Sequence, residues 1–355
     1  MIEKYGFSET GKSHTKNGTK CQDSHSIKRL SNDWIVAAVA DGVGSAVNSA
    51  IGSEIAVKTV ISVCEKFMPY DNSVESIKEM LYMSYNHAFK MIINEASRTG
   101  EPIESYDTTL SAVIFDGHRI VYAHSGDGAI IGLNLFGDFI QITKPQKDID
   151  GISVIPLRAG RSKWVIDSYE EDLASVMLMT DGIFEQLCHH LLQFREDYKC
   201  GVYVPLASFF ADPTGFSNDA NKNEEAKKII KQLIVAEDDN SKGFYDRLLE
   251  IYKHRVSDNC EEVMNIIRSN MFPTRFIDRI EDDKTLVCLI NTEANIENKD
   301  VCYYAEPDWD TLNEKWRRLA YPHLYNDKER ANVNVTKNKS KGKRSKGKFV
   351  RKYVM

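Results

Sequence analysis

The chain lacks several features that would place it in a narrower class. Its seven cysteines (Cys21, Cys64, Cys188, Cys200, Cys260, Cys288, Cys302) are scattered and odd in number, and none forms a C-x-x-C pair. That pattern argues against a disulfide framework or a zinc site and predicts reduced thiols in a cytoplasmic protein. The longest apolar run, around Ile35 to Ala40, is far short of the ~20 residues needed to cross a bilayer, so no transmembrane segment is expected. The opening residues, Met1-Ile2-Glu3-Lys4-Tyr5, carry no signal-peptide pattern. There is no internal repeat. No acidic residue follows Glu329, although nine Lys/Arg fall between Lys337 and Lys352.

What is present is ordinary in bulk. The 355 residues are 42% hydrophobic and 28% charged, as expected for a globular protein of one large or two smaller domains. The net charge of −6 hides an uneven distribution: without the nine basic residues near the end, the remainder carries about −15. Residues 333–355 form a low-complexity Lys/Asn/Ser/Gly tail, expected to be disordered. Such a tail either stays solvated or contacts an acidic partner, a membrane phosphate or nucleic acid. With no aromatic residue before Phe349, it offers no base-stacking surface.

The periodicity is informative. Residues 4–30 read as two strands around a polar, glycine-punctuated loop. Trp34 to Ala40 is an uncharged run ending in Asp41-Gly42, which predicts a buried strand. Helical spacing follows from Val47 to Met68, through Val47, Ile51, Ile55, Ala56, Val60, Cys64 and Phe67. A second helix spans Val74 to Arg98, with Ile77, Leu81, Tyr85, Phe89 and Ile92/Ile93 on one face. The period then changes to two. Strands are predicted at Thr109–Phe115, Ile120–His124, Ala129–Leu135, Phe139–Ile142, Trp164–Asp167 and Leu173–Thr180, with tight turns that imply antiparallel pairing. Helices follow at Ile183–Phe194, Glu224–Val235, Phe244–His254 and Asn259–Ile267. A last strand covers Thr285–Ile290, and a last helix Thr311–Leu319.

Aspartates stand at the ends of these strands: Asp23, Asp41, Asp127, Asp181, and the pair Asp282-Asp283. Each alone is a turn residue. Together they predict a hard-cation site, because magnesium and manganese prefer oxygen ligands. Two such ions about 3.5–4 Å apart can activate a water for attack on phosphorus. The histidines apart from His14, His189-His190 among them, show no ligand spacing and read as surface residues. Asp148 and Asp150 read as plain loop acids.

Six stretches in order carry a resemblance: Cys-Gln-Asp at 21–23, Ala-Asp-Gly-Val-Gly at 40–44, Asp-Thr-Thr-Leu at 107–110, Ser-Gly-Asp-Gly at 125–128, Met-Thr-Asp-Gly-Ile-Phe at 179–184 and Asp-Asp-Lys-Thr-Leu at 282–286. In these the chain resembles the metal-dependent serine/threonine protein phosphatases of the PPM (type 2C) family, bacterial branch, over roughly residues 4–292. The resemblance implies an α+β fold, a four-layer α-β-β-α sandwich of two antiparallel sheets flanked by helices. It implies a phosphatase domain at 1–292 with a helical insertion at about 190–275, a C-terminal extension at 293–332, and the tail at 333–355.

The implied activity is hydrolysis of phosphoserine and phosphothreonine by a water shared between two manganese or magnesium ions. Asp41 would bridge them, with the Gly42 carbonyl on one and Asp181 and Asp282 on the other. Asp23 matches the family's first acidic pair, and Asp127 a residue that binds a third metal in bacterial members. The implied partners are a phosphorylated protein and a cognate serine/threonine kinase, and the chain is expected to be a monomer.

Three departures stand out. Val43 occupies the position of a histidine thought to act as general acid. Ser45 replaces the motif's second glycine. Gly18 falls where many members have a phosphate-binding arginine, leaving His14, Lys16 or Lys20 to substitute, with His14 favoured. The competing expectation is a catalytically weak, phosphatase-like binding or regulatory module.

Overall fold

A computed structural model describes residues 1–148, 151, 153–195, 201–235, 241–256, 259–270 and 280–325. The basic tail and Asp150 lie outside the described residues. Met1–Glu306 forms one compact unit; the described residues from Pro307 onward, with a helix at Trp309–Ala320, belong to a second. None of the described helices is long and apolar enough to cross a membrane.

The elements in chain order are β1 (Ile2–Glu9), α1 (Lys12–Asn17), β2 (Ser24–Arg29), β3 (Ile35–Ala40), α2 (Ser49–Phe67), α3 (Val74–Thr99), β4 (Leu110–Phe115), β5 (Ile120–Ser125), β6 (Ala129–Asn134), β7 (Phe139–Gln141), β8 (Val165–Tyr169), β9 (Leu173–Met179), α4 (Asp181–Leu187), α5 (Val204–Ala211), α6 (Ala220–Val235), α7 (Ser241–Arg255), α8 (Cys260–Ser269) and β10 (Lys284–Asn291). They build two five-stranded sheets, ordered β1-β10-β9-β6-β7 and β2-β3-β4-β5-β8. Every pairing within them is antiparallel.

The uncharged β3 run now has a cause. Ile35, Ala37 and Val39 pack into the core between the sheets, with Val113, Ile130, Val176, Leu178, Val287 and Leu289. Val36, Ala38 and Ala40, on the opposite pleat, pack under α2 and α3 against Ala56, Val60, Cys64, Leu81 and Tyr85. A strand covered on both faces needs apolar side chains at every position. The other sheet, β1-β10-β9-β6-β7, is flanked by α4 and α5, which pack on β9 and β10. The fold is therefore the expected α+β sandwich.

Some details differ from the sequence expectation. The loop expected before Cys21 contains the six-residue α1, too short to show a period. The continuous helix expected at Ile183–Phe194 is α4 followed by a separate 3-10 turn at His190–Phe194. The fully buried α5, hydrophobic all round, offered no amphipathic signal and was not foreseen. Val47, expected on the helix, lies before α2 and is 89% exposed, and on α2 itself Phe67 and Ile51 are exposed at 60% and 41%; the buried stripe runs through Gly52, Ala56, Val60 and Cys64.

Gly52 fixes that face. A Cβ at this position would lie 2.1 Å from the Tyr106 carbonyl oxygen, so only glycine lets the helix approach the chain before β4. Gly52→Ala is expected to destabilise the protein by about 1–3 kcal/mol despite alanine's better helix propensity. A urea midpoint that rose, or stayed put, would show that the helix can shift away.

Candidate metal centre

Antiparallel register gathers the aspartates at one end of the sandwich. Ser24 pairs with Ala40, so Asp23 and Asp41 are neighbours. Leu286 and Ala129 both pair with Met179, so the residues just before β10 and β6 lie beside the end of β9 and Asp181. Between β5 and β6 the chain leaves one sheet for the other. It turns at Gly126, whose φ of 124° is a conformation side chains rarely allow, and this turn carries Asp127 into the same place.

One carboxylate oxygen from each of Asp41, Asp127 and Asp181 lies within 4.8 Å of the others. These three, with Asp282, Gly42, Val43, Gln22, Ser13, His14, Ser153 and Val154, line a cavity of about 380 Å³. Asp282 shares the wall but is not part of the close trio; its Oδ1 accepts the Asp283 N–H at 2.8 Å. Asp23 is buried next to Asp41. Its Oδ2 accepts from the Thr180 hydroxyl at 2.8 Å, and its Oδ1 has no hydrogen-bond partner among the described residues.

The threonines of the motifs hold this arrangement. Asp41 N–H donates to Thr109 Oγ1 at 2.9 Å, and the Asp41 carbonyl accepts from Thr108 Oγ1 at 2.8 Å and from Thr109 N–H at 2.8 Å. Three bonds on one residue fix where its carboxylate points. The adjacent Asp107 forms a two-pronged pair with Arg158 at 2.7 and 2.8 Å, while its carbonyl accepts from Val43 N–H.

Asp283 has a different task from Asp282. Its two oxygens accept the Gly11 and Gln22 N–H groups at 2.7 and 2.6 Å, clamping the α1 segment. His14 reaches the cavity wall, but its Nδ1 sits 2.9 Å from Asp283 Oδ1. The sequence motifs contained these threonines and Asp283, without a signal for what they would hold.

Electrostatically the cluster is strained. Burial, then the charges of Asp23, Asp181 and Asp282, push the Asp41 carboxyl well above the ordinary carboxylate range. Burial raises Asp181 to about 7, with the charges of Asp127 and Asp282 adding to it. Burial also raises Asp23, partly offset by the Thr180 hydroxyl. Asp127 is raised by burial and eased by Lys147, whose Nζ lies 3.8 Å from Asp127 Oδ2. Among the described residues neither lysine nor arginine lines the cavity itself. An all-oxygen donor set, an unpaired buried carboxylate oxygen and mutual repulsion fit hard divalent cations such as magnesium or manganese.

One histidine was misplaced by the sequence reading. His124 is 1% exposed, within hydrogen-bond distance of Ser111 Oγ at 2.8 Å, and burial lowers it to about 4. Its position on a doubly covered strand, not its neighbours in sequence, determines that.

The profile of a family described as protein phosphatase 2C matches residues 10–233, more than half of the chain. The chain belongs to the protein phosphatase 2C family. Solved structures similar to this family member include the serine/threonine phosphatase Stp1 from Staphylococcus aureus, at 15% identity, covering 82% of this chain and 95% of that one, with a TM-score of 0.45. The S. agalactiae serine/threonine phosphatase is 14% identical, covers 82% and 99%, and has a TM-score of 0.49. The Mycobacterium tuberculosis serine/threonine phosphatase PstP/Ppp is 16% identical, covers 84% and 99%, and has a TM-score of 0.43. No curated protein sequence matches the chain.

Proposed function

We propose that the chain is a metal-dependent phosphatase acting on phosphoserine and phosphothreonine in proteins. The observation that carries this is the convergence of Asp41, Asp127 and Asp181 on one cavity in a chain of the protein phosphatase 2C family. Asp41, the Gly42 carbonyl, Asp181 and Asp282 would hold two manganese or magnesium ions, with Asp23 behind Asp41 and Asp127 available to a third. Bound there, such ions supply Lewis acidity toward phosphoryl oxygens and lower the pKa of water, which suits in-line hydrolysis of a phosphomonoester.

The protein's part is placement. Thr108 and Thr109 fix Asp41, Thr180 fixes Asp23, and Asp283 ties α1 to the rim. Among the described residues no cysteine lines the cavity, and no covalent enzyme intermediate is required. Val43, next to Asp41 and Gly42, offers no proton to a leaving group, so substrates with good leaving groups, such as aryl phosphates, should be turned over most readily.

On this reading residues 1–292 are the catalytic domain and 190–275 an insertion in it. The test is release of phosphate from a phosphothreonine peptide and from an aryl phosphate, with manganese and with a chelator. Manganese-independent activity, or none at all, would sink the proposal.

A further inference from the structure

Among the described residues the cavity lining contains four carboxylates but no lysine or arginine. Beside the metal ions, a phosphate dianion entering it can gain a further positive contact only from a cationic side chain at the rim. The residues that sequence position suggested for this are poorly placed. Gly18 is exposed at the end of α1. Lys16 is 71% exposed, with its Nζ 3.6 Å from Glu281, and Lys20 is exposed. His14 faces Asp283.

A different residue is held at the right place. Gln146 is bonded twice to the crossover turn: its N–H donates to the Gly126 carbonyl at 2.8 Å, and its Oε1 accepts the Gly126 N–H at 3.1 Å. That lock sets the next residue, Lys147, beside the residue after Gly126, which is Asp127. Lys147 also forms a backbone bridge with Val154, and Asp148 N–H donates to the Ser153 carbonyl at 2.8 Å. Ser153 and Val154 are themselves cavity wall. Lys147 is therefore fixed by its backbone at the rim on both sides. Its side chain is 40% exposed, and its ammonium lies within 3.8 Å of the cluster, at Asp127 Oδ2.

We infer that Lys147 is the side chain that binds the substrate's phosphate in this protein, in place of an arginine on the N-terminal segment. The inference rests on the phosphatase reading of the site. An ammonium on a flexible stem contacts phosphate as a point charge with rotatable donors, without the planar fork of arginine. Its attachment to Asp127 is a long, partly exposed ion pair, so it can be exchanged for a phosphoryl oxygen at little cost.

The experiment uses the full chain loaded with manganese. Binding of inorganic phosphate is measured by calorimetry, alongside KM and kcat for an aryl phosphate. Lys147→Ala is expected to weaken phosphate binding and raise KM by tenfold or more, with a smaller change in kcat, while Lys147→Arg restores most of both. Manganese stoichiometry, titrated separately, should stay the same in all three proteins. Unchanged phosphate affinity in Lys147→Ala would overturn the inference. So would an additional manganese bound by that variant with no loss of phosphate affinity, which would make Lys147 a counter-ion of Asp127 alone. The two levels separate cleanly: phosphate binding that depends on Lys147 without turnover would remove the phosphatase reading, whereas turnover with phosphate binding indifferent to Lys147 would remove only this assignment.

Discussion

Asp41→Asn is expected to lower manganese-dependent phosphate release on the order of 10³-fold, since removing charge-stabilising metal chemistry costs several kcal/mol of transition-state stabilisation. The same substitution is expected to raise the thermal midpoint of the metal-free protein. Asp41 is buried among Asp23, Asp181 and Asp282, so a neutral amide relieves repulsion that the native carboxylate carries. A ligand cluster that destabilises the empty fold and is stabilised by its ions should show this opposition.

The pH dependence follows from the same shifts. Asp181 is raised to about 7 and Asp23 to about 8, so at intermediate pH the folded protein binds more protons than the unfolded chain. Their contribution to stability is present below the unfolded carboxylate pKa and is lost as pH rises through the folded values. His124 acts with the opposite sign: its folded value of about 4 is depressed, so its contribution is present above about 6.5 and lost as pH falls. At pH 6.5 the unfolded histidine is still about half protonated, so His124 adds only a fraction of a kcal/mol of stability between pH 6.5 and 8, and the carboxylates dominate. Metal-free protein should therefore be less stable at pH 8 than at pH 6.5. The drop should shrink in Asp41→Asn and in protein saturated with manganese. Thermal scans at the two pH values, with and without the ion, decide it; an equal or larger drop in the variant would contradict the repulsive cluster.

Asp212→Ala is expected to cost about 3–5 kcal/mol, a large share of a typical domain's stability. Asp212 and Arg255 form a two-pronged pair, with Nε to Oδ2 at 2.9 Å and Nη2 to Oδ1 at 3.0 Å, and their side chains are 3% and 8% exposed. Arg255 also donates to the Ile296 carbonyl at 3.1 Å, and Asp212 Oδ1 accepts the Thr214 N–H. The pair thus fastens the end of α7 to the turn after α5 and to the chain beyond β10. Removing the carboxylate leaves a buried guanidinium without its partner charge, which explains the size of the effect. Exchanging both residues, as in Asp212→Leu with Arg255→Met, should be far milder than the single change. Urea unfolding of the two single variants and the double variant measures the coupling. A double variant as unstable as the sum of the singles would show that the pair does not act as a unit.

The two sheets, α2 and α3 were legible because each has a strong period: β3 has no charge at all, and the buried positions of α3 recur at Ile77, Leu81, Tyr85 and Ile92. The short α1 and the fully apolar α5 were not, since one spans too few residues for a period and the other has no polar face. The exposed Val47, Ile51 and Phe67, all expected on the helix face, show the limit of spacing alone. Helical periodicity names possible faces, but the approach of Gly52 to Tyr106 selects one.

For the site, the sequence by itself determined the donor groups: aspartates placed at strand ends, with glycines that permit close approach, supply carboxylate oxygens wherever they meet. Their meeting was decided by tertiary structure. Asp41, Asp127 and Asp181 are far apart in the chain, and only the antiparallel register of two sheets brings them within 4.8 Å. The same holds for Lys147, unremarkable among many lysines until Gln146 pairs with Gly126. Local sequence encodes which groups a segment carries. Which groups face each other across a cavity depends on hydrogen bonds between segments that share no sequence neighbourhood.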